Sequence, residues 1–194
     1  MSEQGQPTDE ELMAAYVGGD AAAFRRLFAR HAPALLRVMR QKLGSEADAQ
    51  DVVQNAFLNL HRARADYRPG ARLKPWLYTI AYNLMRDLYR RRKRRPEDSV
   101  EPQLQDRHAP GATGLGSPAG TRESNAPDAR LAHEHLHSAL AALPENQREV
   151  IMLHWFEGFS FPEIADILGA KVSAVKVRAH RGYKRLRQQL GETT

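Results

Sequence analysis

The chain has 194 residues and a mass of 21.9 kDa, room for one medium domain or two small ones, and its lack of cysteine excludes disulfides, thiolate-ligated zinc, iron–sulfur clusters and thiol nucleophiles together. A mean hydropathy of −0.60, with 42% hydrophobic and 27% charged residues, excludes a spanning helix, and the polar, acidic start from Met1 to Glu11 lacks the plan of a secretory signal; a soluble, cytoplasmic protein is expected. The charge of +6 and pI near 9.8 come from 29 Lys and Arg against 23 Asp and Glu, and the excess is gathered in two places, from Arg86 to Arg95 and from Lys171 to Arg187. Two separated basic sites point to one long polyanion.

In chain order, residues 1–9 are expected to form a flexible tail. Over 10–95 apolar residues recur at helical spacing: Phe24, Leu27, Phe28, Leu35, Leu36, Val38 and Met39; Val52, Val53, Ala56, Phe57 and Leu60; Trp76, Leu77, Ile80, Ala81, Leu84 and Leu88. No stretch alternates with period two. The predicted helix from Asp48 to Leu60 carries Gln50, Asp51, Gln54 and Asn55 on a polar face without Lys or Arg, a surface suited to another protein. A loop over 64–72, which includes Tyr67, leads into a helix that runs straight into the arginine tract. Aromatic rings beside cations are what single-stranded DNA needs, since unstacked bases lie on rings while phosphates meet Arg. Trp76 and Tyr78 read as packing residues before base contacts; Tyr82, Asn83, Arg86 and Arg90 are open to either role, and Arg91 joins them in the tract.

Residues 96–130 hold five prolines and four glycines and almost no large apolar residue, the composition of a flexible linker. A coil of that length spans about 30–35 Å, enough to separate two contacts on DNA. Helical spacing returns over 131–190. Ser160 at a cap, Pro162 in the first turn and Gly169 at the end define one short helix, and Ser173 is placed to cap a second that runs to about Gln189. Small Ala165 permits a close crossing, so the pair reads as a helix-turn-helix. The second helix is expected to bury Val172, Val175, Ala179 and Leu186 and to turn Lys176, His180, Arg181 and Lys184 outward, toward a major groove. Gly182 inside it costs about 1 kcal/mol against Ala, a mark of close packing. The expected fold is all-α: two small helical bundles on a tether.

These blocks resemble a known family. Ala49–Phe57, Trp76–Asn83, Leu143–Val150 and Phe159–Arg187 are similar, in order and spacing, to regions 2.2, 2.3–2.4, 4.1 and 4.2 of bacterial extracytoplasmic-function (ECF) sigma factors of the sigma-70 family, over roughly 10–95 and 131–190. The resemblance implies an alternative sigma factor whose first domain binds the β′ clamp of core RNA polymerase and the −10 element and assists melting, and whose second binds the β-flap and the −35 element. It implies clamp contact by Gln50, Asp51, Gln54 and Asn55. It implies −10 contact, including the non-template single strand, by Tyr67, Trp76, Tyr78, Tyr82, Asn83, Arg86, Arg90 and Arg91, with the 64–72 loop holding a flipped base. The −35 set is Ser173, Lys176, Arg178, His180, Arg181 and Lys184. The linker is expected to thread toward the RNA exit path, and an anti-sigma factor to occlude one or both domains. Gln50 and Asn55 stand where the family usually shows acids, leaving Asp51 as the main charge of that face, and Leu73 replaces a common Phe.

Two other readings compete. His133-Glu134-His135-Leu136-His137 satisfies H-E-x-x-H, the helical zinc-protease motif, but it adjoins the linker and has no strand-bearing catalytic domain around it. A helix-turn-helix repressor accounts for 131–190 and leaves the first bundle idle. No catalytic residue, metal, cofactor or membrane insertion is expected.

Overall fold

The computed structural model describes residues 6–94 and 127–191, with side chains of the second span from Glu134 onward; most of the expected linker therefore lies outside the described residues. All described regular structure is helical, and it falls into two compact units.

The first unit is built from α1 (Asp9–Val17), α2 (Ala21–Leu43), α3 (Glu46–Arg62), a 3₁₀ turn (Arg64–Asp66) and α4 (Leu73–Arg94). Each of the first three helices starts on a side-chain cap. Thr8 and Glu11 form a reciprocal capping box on α1, Asp20 accepts from the Ala22 amide at 2.7 Å, and Ser45 Oγ accepts from the Asp48 amide at 3.3 Å. Helix α2 packs on α1 and α3, and α3 packs on α4, so the apolar stripes Leu27/Leu35/Met39, Val53/Phe57/Leu60 and Leu77/Ala81/Met85 share one core. The chain turns from α2 to α3 through Gly44 at φ 65°, a left-handed conformation that a side chain resists. The start of the chain departs from the expected flexible tail at residues 7–9. Arg30 donates to the Pro7 carbonyl at 2.9 Å and to Asp9 at 2.6 Å, and Thr8 is the cap of α1.

The second unit comprises α5 (Pro127–Ala141), α6 (Glu145–Trp155), α7 (Phe161–Leu168) and α8 (Val172–Gly191). Residues 127–130, expected in the linker, are thus the first turn of α5. Helix α8 packs against α5, α6 and α7. Leu140, Leu143 and Ile151 form a buried cluster flanked by Met152, Tyr183 and Leu186, while Val150, Leu153, Phe159, Ile164, Ile167 and Val175 fill the rest. Helix α7 is fixed at both ends: Ser160 and Glu163 form a capping box, Pro162 occupies the first turn, and Gly169 ends the helix at φ 62°. The Gly169 amide returns to α7 and the Ala170 amide donates to the Ala165 carbonyl at 2.9 Å, closing the helix-turn-helix turn.

Candidate nucleic-acid interfaces

Helix α8 sorts its residues by angular position. Val175, Ala179 and Gly182 are buried, and Ser173, Lys176, His180, Arg181 and Lys184 are exposed on the opposite side. Gly182 faces α6 so closely that a Cβ built on it lies 2.6 Å from Ile151 Cδ1. Three assignments on this helix are corrected. Val172 is 37% exposed instead of buried, because it opens the helix before the stripe engages α6 and α7. Ser173 lies inside the first turn, not at the cap: the Lys171 carbonyl already accepts from the Val175 amide at 3.1 Å. Arg178 is half-buried on the flank shared with Arg185, whose guanidinium donates to Gln147 at 3.3 Å, and so does not share the outward face of Lys176. Charge pattern alone also missed Val177. It is 47% exposed among the outward cations and is of the kind that meets a thymine methyl beside phosphate-binding Lys and Arg.

On α4 the buried stripe is Leu73, Leu77, Tyr78, Ala81, Tyr82 and Met85. Tyr78 and Tyr82 are 0% and 2% exposed, which corrects their place among the DNA-facing residues: they sit on the same helical face as Leu77 and Ala81, and their rings fill the core. Lys74 Nζ lies 5.7 Å from the centre of the Tyr78 ring. The other side of α4 presents half-buried Trp76 and exposed Asn83 and Arg90, with Arg86 between. Arg86 donates to Asn83 Oδ1 at 2.7 Å and to the Tyr82 carbonyl at 3.2 Å, so the amide and guanidinium are held as one polar group. Arg90 pairs with Asp87, and Asp87, Arg90, Arg91 and Arg94 line an open cleft of about 480 Å³.

The 64–72 loop is braced against this surface. Tyr67 donates its hydroxyl to the Ala71 carbonyl, and its ring centre is 5.8 Å from that of Trp76. Burial, reinforced by Glu10 and Asp9, raises the Tyr67 pKa above the usual phenol value, so the hydroxyl stays a neutral donor.

The α3 face is of another kind. Gln50, Asp51, Gln54 and Asn55 are all exposed; Gln50 donates to Glu46 at 2.7 Å and Asn55 to the Asp51 carbonyl at 2.8 Å. Leu58, 43% exposed one turn beyond Gln54, adds an apolar patch that the polar pattern did not flag. On α5, Glu134 and His135 are exposed and His137 is half-buried; the His133 side chain lies outside the described ones.

Comparison with known proteins agrees across both units. Residues 27–95 match the family model of Sigma-70 region 2, and residues 133–186 that of Sigma-70 region 4. The chain is 38% identical over 176 residues to the RNA polymerase sigma factor CarQ of Myxococcus xanthus, covering 90% of this chain and 92% of that protein. It is 32% identical over 186 residues to the ECF RNA polymerase sigma factor SigM of Mycobacterium tuberculosis, covering 95% of this chain and 85% of that one. Among solved structures it is similar to CnrH in complex with the cytosolic domain of CnrY, with a TM-score of 0.58, 32% identity and coverage of 96% and 99%. These matches leave the repressor and zinc-protease readings without support.

Proposed function

Because the chain belongs to the extracytoplasmic-function group of sigma-70 family sigma factors, which bind core RNA polymerase and direct promoter-specific initiation, we propose that its two units divide that task. Residues 9–94 hold the β′ clamp through the α3 face and the −10 element through α4 and the 64–72 loop. Residues 127–190 hold the β-flap and place α8 in the major groove of the −35 element. The observation that carries this reading is the pairing, within one chain, of an outward basic helix-turn-helix with a bundle that separates the exposed Gln50, Asp51, Gln54 and Asn55 of α3, a stretch that holds no Lys or Arg, from a cationic face on α4.

On the DNA side, Ser173, Lys176, His180, Arg181 and Lys184 meet −35 bases and phosphates. Trp76, Asn83, Arg86, Arg90 and Arg91 meet the −10 element, with Tyr67 shaping the loop that receives an unstacked base. Tyr78 and Tyr82 support that surface from beneath. On the protein side, Asp51 supplies the charge of the clamp contact and Leu58 its apolar anchor. The protein performs no chemistry; polymerase does, which places the chain in the cytoplasm. Likeness to CnrH, solved with the cytosolic domain of CnrY, supports control by an anti-sigma partner that covers one or both units.

Reconstituted transcription tests the reading. Core polymerase with this chain initiates on a cognate promoter, and core alone does not. Failure across a genome-wide template pool, with core shown to be active by another sigma factor, refutes it.

A further inference from the structure

The last turns of α4 have few reasons to be ordered. Met85 is the last buried side chain of the helix, yet α4 continues to Arg94 through five successive cations, Arg90 to Arg94, which repel one another. A helix C-terminus attracts cations, but that effect is small at an exposed surface. Two contacts hold this end on the face that continues the buried stripe. The Tyr89 hydroxyl donates to the Lys42 carbonyl at 2.7 Å, in the last turn of α2. Arg92 Nη2 reaches both carboxylate oxygens of Asp48, at 2.7 and 2.6 Å, in the first turn of α3. The Arg92 side chain is 33% exposed and that of Asp48 17%. The corner they grip is itself fixed by left-handed Gly44, by the Ser45 cap and by the Arg40–Glu46 pair.

We propose that Asp48 and Arg92 form a positioning clasp that keeps the end of α4 helical and aims Arg90, Arg91 and Arg94 at the promoter. A carboxylate on the polymerase-facing helix is then required for DNA binding, and Arg92 serves the tract without itself touching DNA. The proposal rests on the reading that the first unit engages the −10 element. It runs against simple electrostatics, in which removal of an acidic residue strengthens binding to a polyanion.

The test uses holoenzyme assembled with the full chain and a forked promoter DNA carrying the −10 element and its single-stranded non-template strand, with a scrambled −10 as control. Asp48→Asn lowers affinity for the promoter fork by roughly three- to tenfold, the scale of a partly buried pair. In the free chain, Asp48→Asn and Arg92→Gln both quicken amide exchange over residues 86–94 and leave α7 and α8 unchanged. The reversed pair, Asp48→Arg with Arg92→Asp, binds the fork more tightly than Asp48→Arg alone. Equal or tighter binding by Asp48→Asn, unchanged exchange over 86–94, or a reversed pair no better than the single variant overturns the clasp. If wild-type holoenzyme fails to distinguish the −10 element from the scrambled control, the −10 reading falls instead, and the exchange data still decide whether the clasp exists.

Discussion

Replacing Gly182 by Ala sets two opposing effects against each other at one helix crossing. Ala in a helix interior is favoured over Gly by about 0.8–1.0 kcal/mol. The added Cβ, however, lies 2.6 Å from Ile151 Cδ1 and 3.4 Å from Gln147 Cβ, where carbon atoms prefer about 3.5–4.0 Å. Ile151 is 3% exposed and packed on Leu140 and Leu143, so its terminal methyl has little room to retreat. Overpacking of this kind costs roughly 1–3 kcal/mol, which leaves Gly182→Ala between neutral and about 2 kcal/mol destabilising. Ile151→Val removes the offending methyl and by itself costs about 0.5–1.5 kcal/mol. In the double variant the new methyl occupies the space vacated by the old one, so the clash disappears and the helix-propensity gain remains. The two substitutions are therefore coupled by about 1–3 kcal/mol in the stabilising direction. Native-state hydrogen exchange of the full chain, read on peptides from α6 and α8, measures each corner of the cycle without interference from the first unit. Additivity to within about 0.5 kcal/mol refutes the close approach of α6 and α8 as described.

Three further outcomes follow from the geometry. Ser160→Ala, which breaks the α7 capping box, lowers the stability of the second unit by about 1 kcal/mol in urea titration, whereas Ser173→Ala, one residue inside α8, changes it by less than about 0.5 kcal/mol; equal losses contradict the placement of the α8 start. His31 is buried between α1 and α2, its Nε2 2.8 Å from Asp9 Oδ2 but outside hydrogen-bond alignment; burial lowers its pKa below 6.5 against the opposing pull of Asp9, with Lys74 and Arg30 adding to the depression. The folded state then favours the neutral ring, so stability is fully present above about pH 6.5 and falls as pH drops toward the folded value, and His31→Gln flattens that part of the urea-midpoint profile; a parallel profile refutes it. Lys176→Ala, Arg181→Ala and Lys184→Ala together weaken binding to −35 duplex and reduce the slope of log affinity against log salt by up to about 0.9 for each phosphate no longer neutralised, with exchange in α8 unchanged; an unaltered slope shows that the outward face is misassigned.

Local signals made most of the fold legible in the sequence. The Ser160, Pro162 and Gly169 pattern specifies α7 because capping and left-handed turns are properties of a few adjacent residues, and the observed boundaries agree with it. Gly182 is legible as close packing but its partner is not, since Ile151 is brought there by tertiary folding. Tyr78 and Tyr82 share one buried face with Leu77, Ala81 and Met85 by spacing alone, yet the neighbouring arginines point toward DNA chemistry and mask that periodicity. Ser173 misleads because a Ser two residues early or late has the same composition and a different backbone role. The Asp48–Arg92 pair has no local signal at all, as 44 residues separate its members.

Helix α7 is eight residues long, well short of what persists alone in water. Its shape depends on the capping box, on Gly169 and on the core beneath Ile164 and Ile167. A chimaera that transplants only the turn and α8 onto a foreign scaffold therefore carries the reading head without its mount. The smallest portable cassette for retargeting runs from the Leu140–Leu143 segment through α8, and swaps of promoter preference are best made by exchanging outward side chains within it.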